Sequence, residues 1–160
     1  MVDHPVSGIP GHSGVRIPPP VIYAGIFALG YVLQRFFPIA EFPKTMSHVL
    51  AIICTGAAAF LGTWSLLWFW RAHTSPLPHR PSKTLVTTGP YHLTRNPMYV
   101  SLAFLYGGMT FWLQAAWALL LLPVVILMIR YFVIDREEHY LSLKFGQEYL
   151  RYKMRVRRWL

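Results

Sequence analysis

The chain has 160 residues, enough for one domain, of which 54% are hydrophobic and only 13% charged. Soluble domains carry about 25% charged residues, so the composition points to a membrane protein. The net charge of +9 reads as cationic loops beside a bilayer rather than a nucleic-acid surface, and a single cysteine, Cys54, excludes an intrachain disulfide.

Residues 1–20 are rich in proline and glycine and read as a flexible tail. They have no n-region or cleavage-site pattern, so a cleaved signal peptide is not expected there. The first apolar run covers residues 21–37 and is short for a span of roughly 20 residues. Ile17 and the prolines extend it at one end, and Arg35 snorkels at the other. The second run, residues 49–70, is uncharged and long enough alone.

The third apolar region is too long for one span and is interrupted by Gln114. It divides into spans at 98–113 and 115–134, joined by a tight turn, with a kink expected at Pro123. Four spans put both termini and the 71–97 loop on one side. That side holds 13 of the 15 basic residues, and only Arg35 and Lys44 remain opposite. The positive-inside rule then makes the termini and the loop cytoplasmic.

Residues 135–160 form a fifth helix candidate, expected at the cytoplasmic face. Leu141, Phe145, Tyr149, Tyr152, Val156 and Trp159 share one helical face, with a basic face beside it. Such a helix suits an anionic membrane surface, or packs on the cytoplasmic ends of the spans. Gly146 weakens it in isolation. The expected fold is therefore all-α: a membrane bundle of about four spans plus a C-terminal amphipathic helix, a single domain over 1–160.

Chemistry-bearing residues gather at two places. GPYHLTRNPMY, residues 89–99, leads into the third span, and Glu137–Glu138 follow the fourth. In an antiparallel hairpin the two meet at the same level. They would form a polar pocket with walls from Tyr91, Tyr99 and Tyr131. Carboxylates accept from ribose hydroxyls or an amino group, and tyrosine faces hold a sulfonium or ammonium cation. Asn96, Pro97 and Tyr99 would cap the third span, with Pro97 tolerated in its first turn. Arg130 either snorkels or binds an anionic substrate group. His92 and His139 read as structural or solvated. No Rossmann or phosphate-loop glycine pattern is present, and no metal-ligand spacing.

LVTTGPYHLTRNPMY (85–99) and EEHYLSLKFGQEYLRYKMRV (137–156) resemble the two signatures of the isoprenylcysteine carboxyl methyltransferases and the related phospholipid methyltransferases. The resemblance covers about the C-terminal half. It implies a membrane methyltransferase that uses S-adenosylmethionine without a Rossmann domain. It implies cofactor contacts from Lys83, Thr84, Leu85 and Val86, from Tyr91, from Asn96, Pro97, Met98 and Tyr99, and from Glu137.

Arg95 is placed with these cofactor residues, with a glutamate or a lipid phosphate as its other possible partner. Many members have histidine where this chain has Asn96. The arginine that meets a substrate carboxylate in the eukaryotic enzymes is matched here by Val133, with Arg130 a turn earlier as the candidate replacement. The expected acceptor is lipophilic, first a carboxylate, then a phospholipid amine or a thiol. Glu138 is the candidate base for an amine. Two readings from other classes are an NADPH-dependent reductase like the sterol reductases and a non-catalytic membrane protein whose basic tail binds anionic lipid.

Overall fold

A computed structural model describes residues 13–15, 17–39, 41–73 and 84–160. The described residues form helices and no strands, as the composition led us to expect. Five α-helices occur: α1 (Pro19–Phe36), α2 (Lys44–Arg71), α3 (Pro97–Trp112), α4 (Ala116–Ile129) and α5 (Asp135–Arg155). A short 3₁₀ turn, Gly89–His92, precedes α3, and a π turn, Arg130–Ile134, links α4 to α5.

Prolines mark several helix starts. Pro19 and Pro97 stand at the first positions of α1 and α3, where a missing N–H costs nothing. Helix α2 follows Pro43 and takes Lys44 into its first turn, so it begins five residues before the uncharged run. The turn at Gln114 falls where the interruption in apolar sequence put it. Gln114 has φ +53°, and its side-chain oxygen accepts from the Phe42 N–H at 2.9 Å.

Helices α3 and α4 form the central hairpin. Helix α2 packs along α3, and α1 packs along α4. Small residues permit the close approaches. A Cβ on Gly108 would lie 2.6 Å from Thr55 Cγ2, and one on Gly30 would lie 2.6 Å from Ala118 Cα. Helices in lipid associate largely through such backbone proximity. Tyr23 and Tyr106, with Val125, Ile129, Val133 and Ile134, fill the main core. Two buried hydroxyls are satisfied within their own helices: Thr110 donates to the Tyr106 carbonyl at 2.9 Å and Ser65 to that of Leu61 at 2.6 Å.

Among the described residues, two helical stretches are long and apolar enough to cross a bilayer on their own: α2, and the rod Ala116–Arg155 that runs through the π turn. The rod differs from the sequence expectation, which ended the fourth span before a separate helix. Only the π turn separates the two. Pro123 lies inside α4, and the departures from α geometry come later, at the π turn and at Gly146. Gly146 has φ +51° and ψ −125°, a region that L side chains rarely adopt. The rod bends there, so Tyr149 and Tyr152 of α5, with Val156 just after it, turn inward against Leu85, Leu141 and Phe145.

Candidate functional site

The bend in α5 and the loop before α3 enclose a cleft of about 110 Å³ with an open mouth. One wall comes from the loop and the start of α3: Thr84, Leu85, Val86, Tyr91, Arg95, Asn96, Pro97, Met98 and Tyr99. The other wall is α5, with Glu137, Glu138, Tyr140, Leu141, Tyr149 and Tyr152. Phe69 of α2 and Ser13 complete it. Two sequence motifs whose nearest residues, Tyr99 and Glu137, are 38 positions apart therefore meet, as the hairpin geometry required.

The 3₁₀ turn fixes Tyr91. Gly89 sits at φ +63°, and a Cβ there would lie 2.2 Å from Trp68 Nε1, so no other residue fits. Tyr91 packs edge-on against Phe69 with ring centroids 5.3 Å apart, and its carbonyl accepts from the Tyr152 hydroxyl at 2.6 Å. Its own hydroxyl is buried without a hydrogen-bond partner of good geometry, with Ser65 its polar neighbour. Burial pushes that phenol well above its ordinary range.

Tyr99 and Glu137 tie the two walls together. The Tyr99 hydroxyl donates to Glu137 Oε1 at 2.8 Å. Glu137 keeps part of its surface open while its carboxyl group is enclosed. That enclosure raises its pKa from the ordinary value to about 7, and the neighbouring Glu138 charge adds to the rise. The Tyr99 hydrogen bond works the other way.

Glu138 is buried and held by three cations. Arg158 grips it with two donors, Nε to Oε1 at 3.0 Å and Nη2 to Oε2 at 2.8 Å. Arg95 Nη1 stands 3.1 Å from Oε1, and Lys153 Nζ stands 3.3 Å from Oε2. A carboxylate so engaged anchors structure; it is not placed to take a proton from a substrate. The base role expected of Glu138 does not match these surroundings. The partner left open for Arg95 is Glu138, and Arg95 Nε is buried with no hydrogen-bond partner.

Other expectations meet different fates. Lys83 lies outside the described residues. Arg130 is exposed and away from the cleft, its guanidinium 5.4 Å from the Tyr131 ring centroid. Tyr131, expected as a wall, is 58% exposed and does not line the cleft. Asn96 occupies the N-cap of α3 but does not cap with its side chain; Nδ2 donates instead to the Arg158 carbonyl at 3.0 Å. His92 and His139 are exposed.

Sequence reading missed Phe69, Tyr140 and Arg158. It noted the Leu141, Tyr149 and Tyr152 face without giving it to the site. That face was the available signal.

A family model described as phospholipid methyltransferase matches residues 46–148. An uncharacterized protein of Haemophilus influenzae is 51% identical over 63 residues, which is 39% of this chain and all of that protein. No solved structure matches.

Proposed function

Since the chain belongs to the phospholipid methyltransferase family, a family of membrane methyltransferases, we propose that it uses S-adenosylmethionine to methylate a lipophilic acceptor. The observation that carries the cofactor reading is the cleft itself. It brings Tyr91, Tyr99 and Glu137 to one place beside the backbone at 84–86 and 96–98. These residues fit such a ligand. Glu137 accepts from ribose hydroxyls once ionised, tyrosine faces suit a sulfonium, and the unpartnered Tyr91 hydroxyl and Arg95 Nε await a polar ligand atom. The enclosed part receives one end of such a molecule, and the open mouth receives the rest.

When bound, S-adenosylmethionine supplies an electrophilic methyl group. The chain's task is to hold the acceptor in line with it and to exclude water, an orientation effect worth about 7–11 kcal/mol. Phe69 and Met98 give the cleft an apolar side for a lipid chain. Among acceptors we place a lipid amine ahead of a lipid carboxylate. Val133 is buried in the core, and Arg130 faces away, so neither position offers a cation to a substrate carboxylate. Helices α1 to α4 are the proposed spans of one domain, with both termini and the cleft on the cytoplasmic side.

Calorimetry in detergent tests the cofactor reading. S-adenosylhomocysteine should bind at micromolar level, and Glu137→Ala should weaken it at least about tenfold, about 1.4 kcal/mol. Unchanged affinity in a folded Glu137→Ala protein removes Glu137 from the site, and NADPH binding in its place favours a reductase. Labelled S-adenosylmethionine with a membrane lipid extract then identifies the acceptor by its labelled product.

A further inference from the structure

The two walls of the cleft are joined at the back by residues that follow α5. The Arg157 carbonyl accepts from the Arg95 N–H at 2.9 Å. The Arg158 carbonyl accepts twice, from Thr94 Oγ1 and from Asn96 Nδ2, each at 3.0 Å. The Arg158 guanidinium meanwhile grips Glu138 with two donors and stands 2.8 Å from Asp135 Oδ1 through Nη1. Val156 and Trp159 on either side pack into the two hydrophobic clusters. One residue thus holds the loop at 94–96 with its backbone and the start of α5 with its side chain.

We infer that Arg158 is a positioning residue for the cleft: it sets the separation of the Asn96–Tyr99 wall from the Glu137 wall without touching the ligand. The inference rests on the cofactor reading above for what the cleft holds, but not for the strap itself. Planar bidentate geometry suits the role, because a forked pair fixes direction as well as distance. Arg158 also balances charge. Glu137 is faced by Tyr99 from α3, by Tyr91 from the 3₁₀ turn and by Glu138 on its own helix. Glu138 in turn is faced by Arg95 from the loop, by Lys153 of α5 and by Arg158, which also meets Asp135. Loss of Arg158 leaves the Glu138 charge less compensated beside Glu137.

The test uses the full chain in detergent, as wild type, Arg158→Ala and Arg158→Lys. Arg158→Ala leaves Glu138 with Arg95 and Lys153, so its carboxylate is not stranded and the protein is expected to fold. Hydrogen exchange of peptides covering 89–100 should quicken at least about fivefold, while α1 and α2 stay unchanged. Affinity for S-adenosylhomocysteine should fall at least about tenfold, and the pH needed for binding should move upward. Arg158→Lys, which keeps the charge but not the fork, should recover part of both.

Unchanged loop exchange and unchanged affinity in Arg158→Ala overturn the inference. So does exchange that quickens evenly along the chain with no recovery in Arg158→Lys, because that describes general destabilisation. If wild type binds no S-adenosylhomocysteine and the loop still loosens in Arg158→Ala, the strap stands and the cofactor reading falls.

Discussion

Glu137 and Glu138 are adjacent in sequence and opposite in circumstance. Glu138 is enclosed by Arg95, Lys153 and Arg158, whereas Glu137 meets a tyrosine hydroxyl inside an apolar enclosure. Its folded pKa of about 7 lies above the ordinary value, so burial favours the neutral form. The sign follows. The stability contributed by keeping Glu137 neutral is fully present below its unfolded pKa and is lost as pH rises through about 7. Ligand binding runs the other way, because the ionised carboxylate accepts from hydroxyls more strongly than the neutral acid does. Affinity for S-adenosylhomocysteine should therefore tighten between about pH 6 and about pH 8, and Glu137→Gln should flatten that dependence in calorimetry. Sequence alone showed that the acidic pair faces the GPYHLTRNPMY loop. Spacing does not separate the two members; the family resemblance made Glu137 a cofactor contact and left Glu138 a candidate base. The cations that hold Glu138, Arg95, Lys153 and Arg158, lie 43, 15 and 20 residues away and give no local signal.

At the scale of elements, α5 is where sequence and structure part most. Its aromatic face repeats at steps of four and three residues, which describes a straight amphipathic helix. The helix instead breaks at Gly146 and folds that face onto Leu85 and the cleft. A glycine's propensity cost is legible in a sequence; the unusual φ and ψ it adopts depend on what the bent segment packs against. Gly146→Ala has open space for its methyl group but the wrong backbone conformation. It should cost about 1–3 kcal/mol, read as a lowered thermal midpoint in detergent, and should weaken ligand binding by displacing Tyr149 and Tyr152. The π turn carries the same lesson. It occupies Arg130–Ile134, where the apolar run gives no sign of it, and Arg130 and Tyr131 within it are both exposed.

For the whole molecule, the charge asymmetry and the Gln114 interruption were enough to foresee the α3–α4 hairpin and the meeting of the two motifs. The number of spans was less legible. Helix α3 has only 16 residues, about 24 Å of rise, and relies on α2 and α4 rather than on its own length. The proposed topology makes a direct prediction. In a Cys54→Ala background, a cysteine at Glu41 should react with an impermeant maleimide from outside intact cells. One at Glu148, also exposed, should react only after the membrane is opened or inverted. The reverse pattern, or both sites on one side, would replace the four-span arrangement.

The hydrogen bonds from Thr94 and Asn96 to the Arg158 carbonyl span 64 and 62 residues. A ribosome therefore delivers the loop well before the group that holds it, with α3, α4 and α5 synthesised in between. Until then the Thr94 hydroxyl and the Asn96 amide lack this acceptor, and the cleft lacks its second wall. Assembly of the site is thus a late event in biogenesis, tied to completion of the hairpin rather than to synthesis of its first motif.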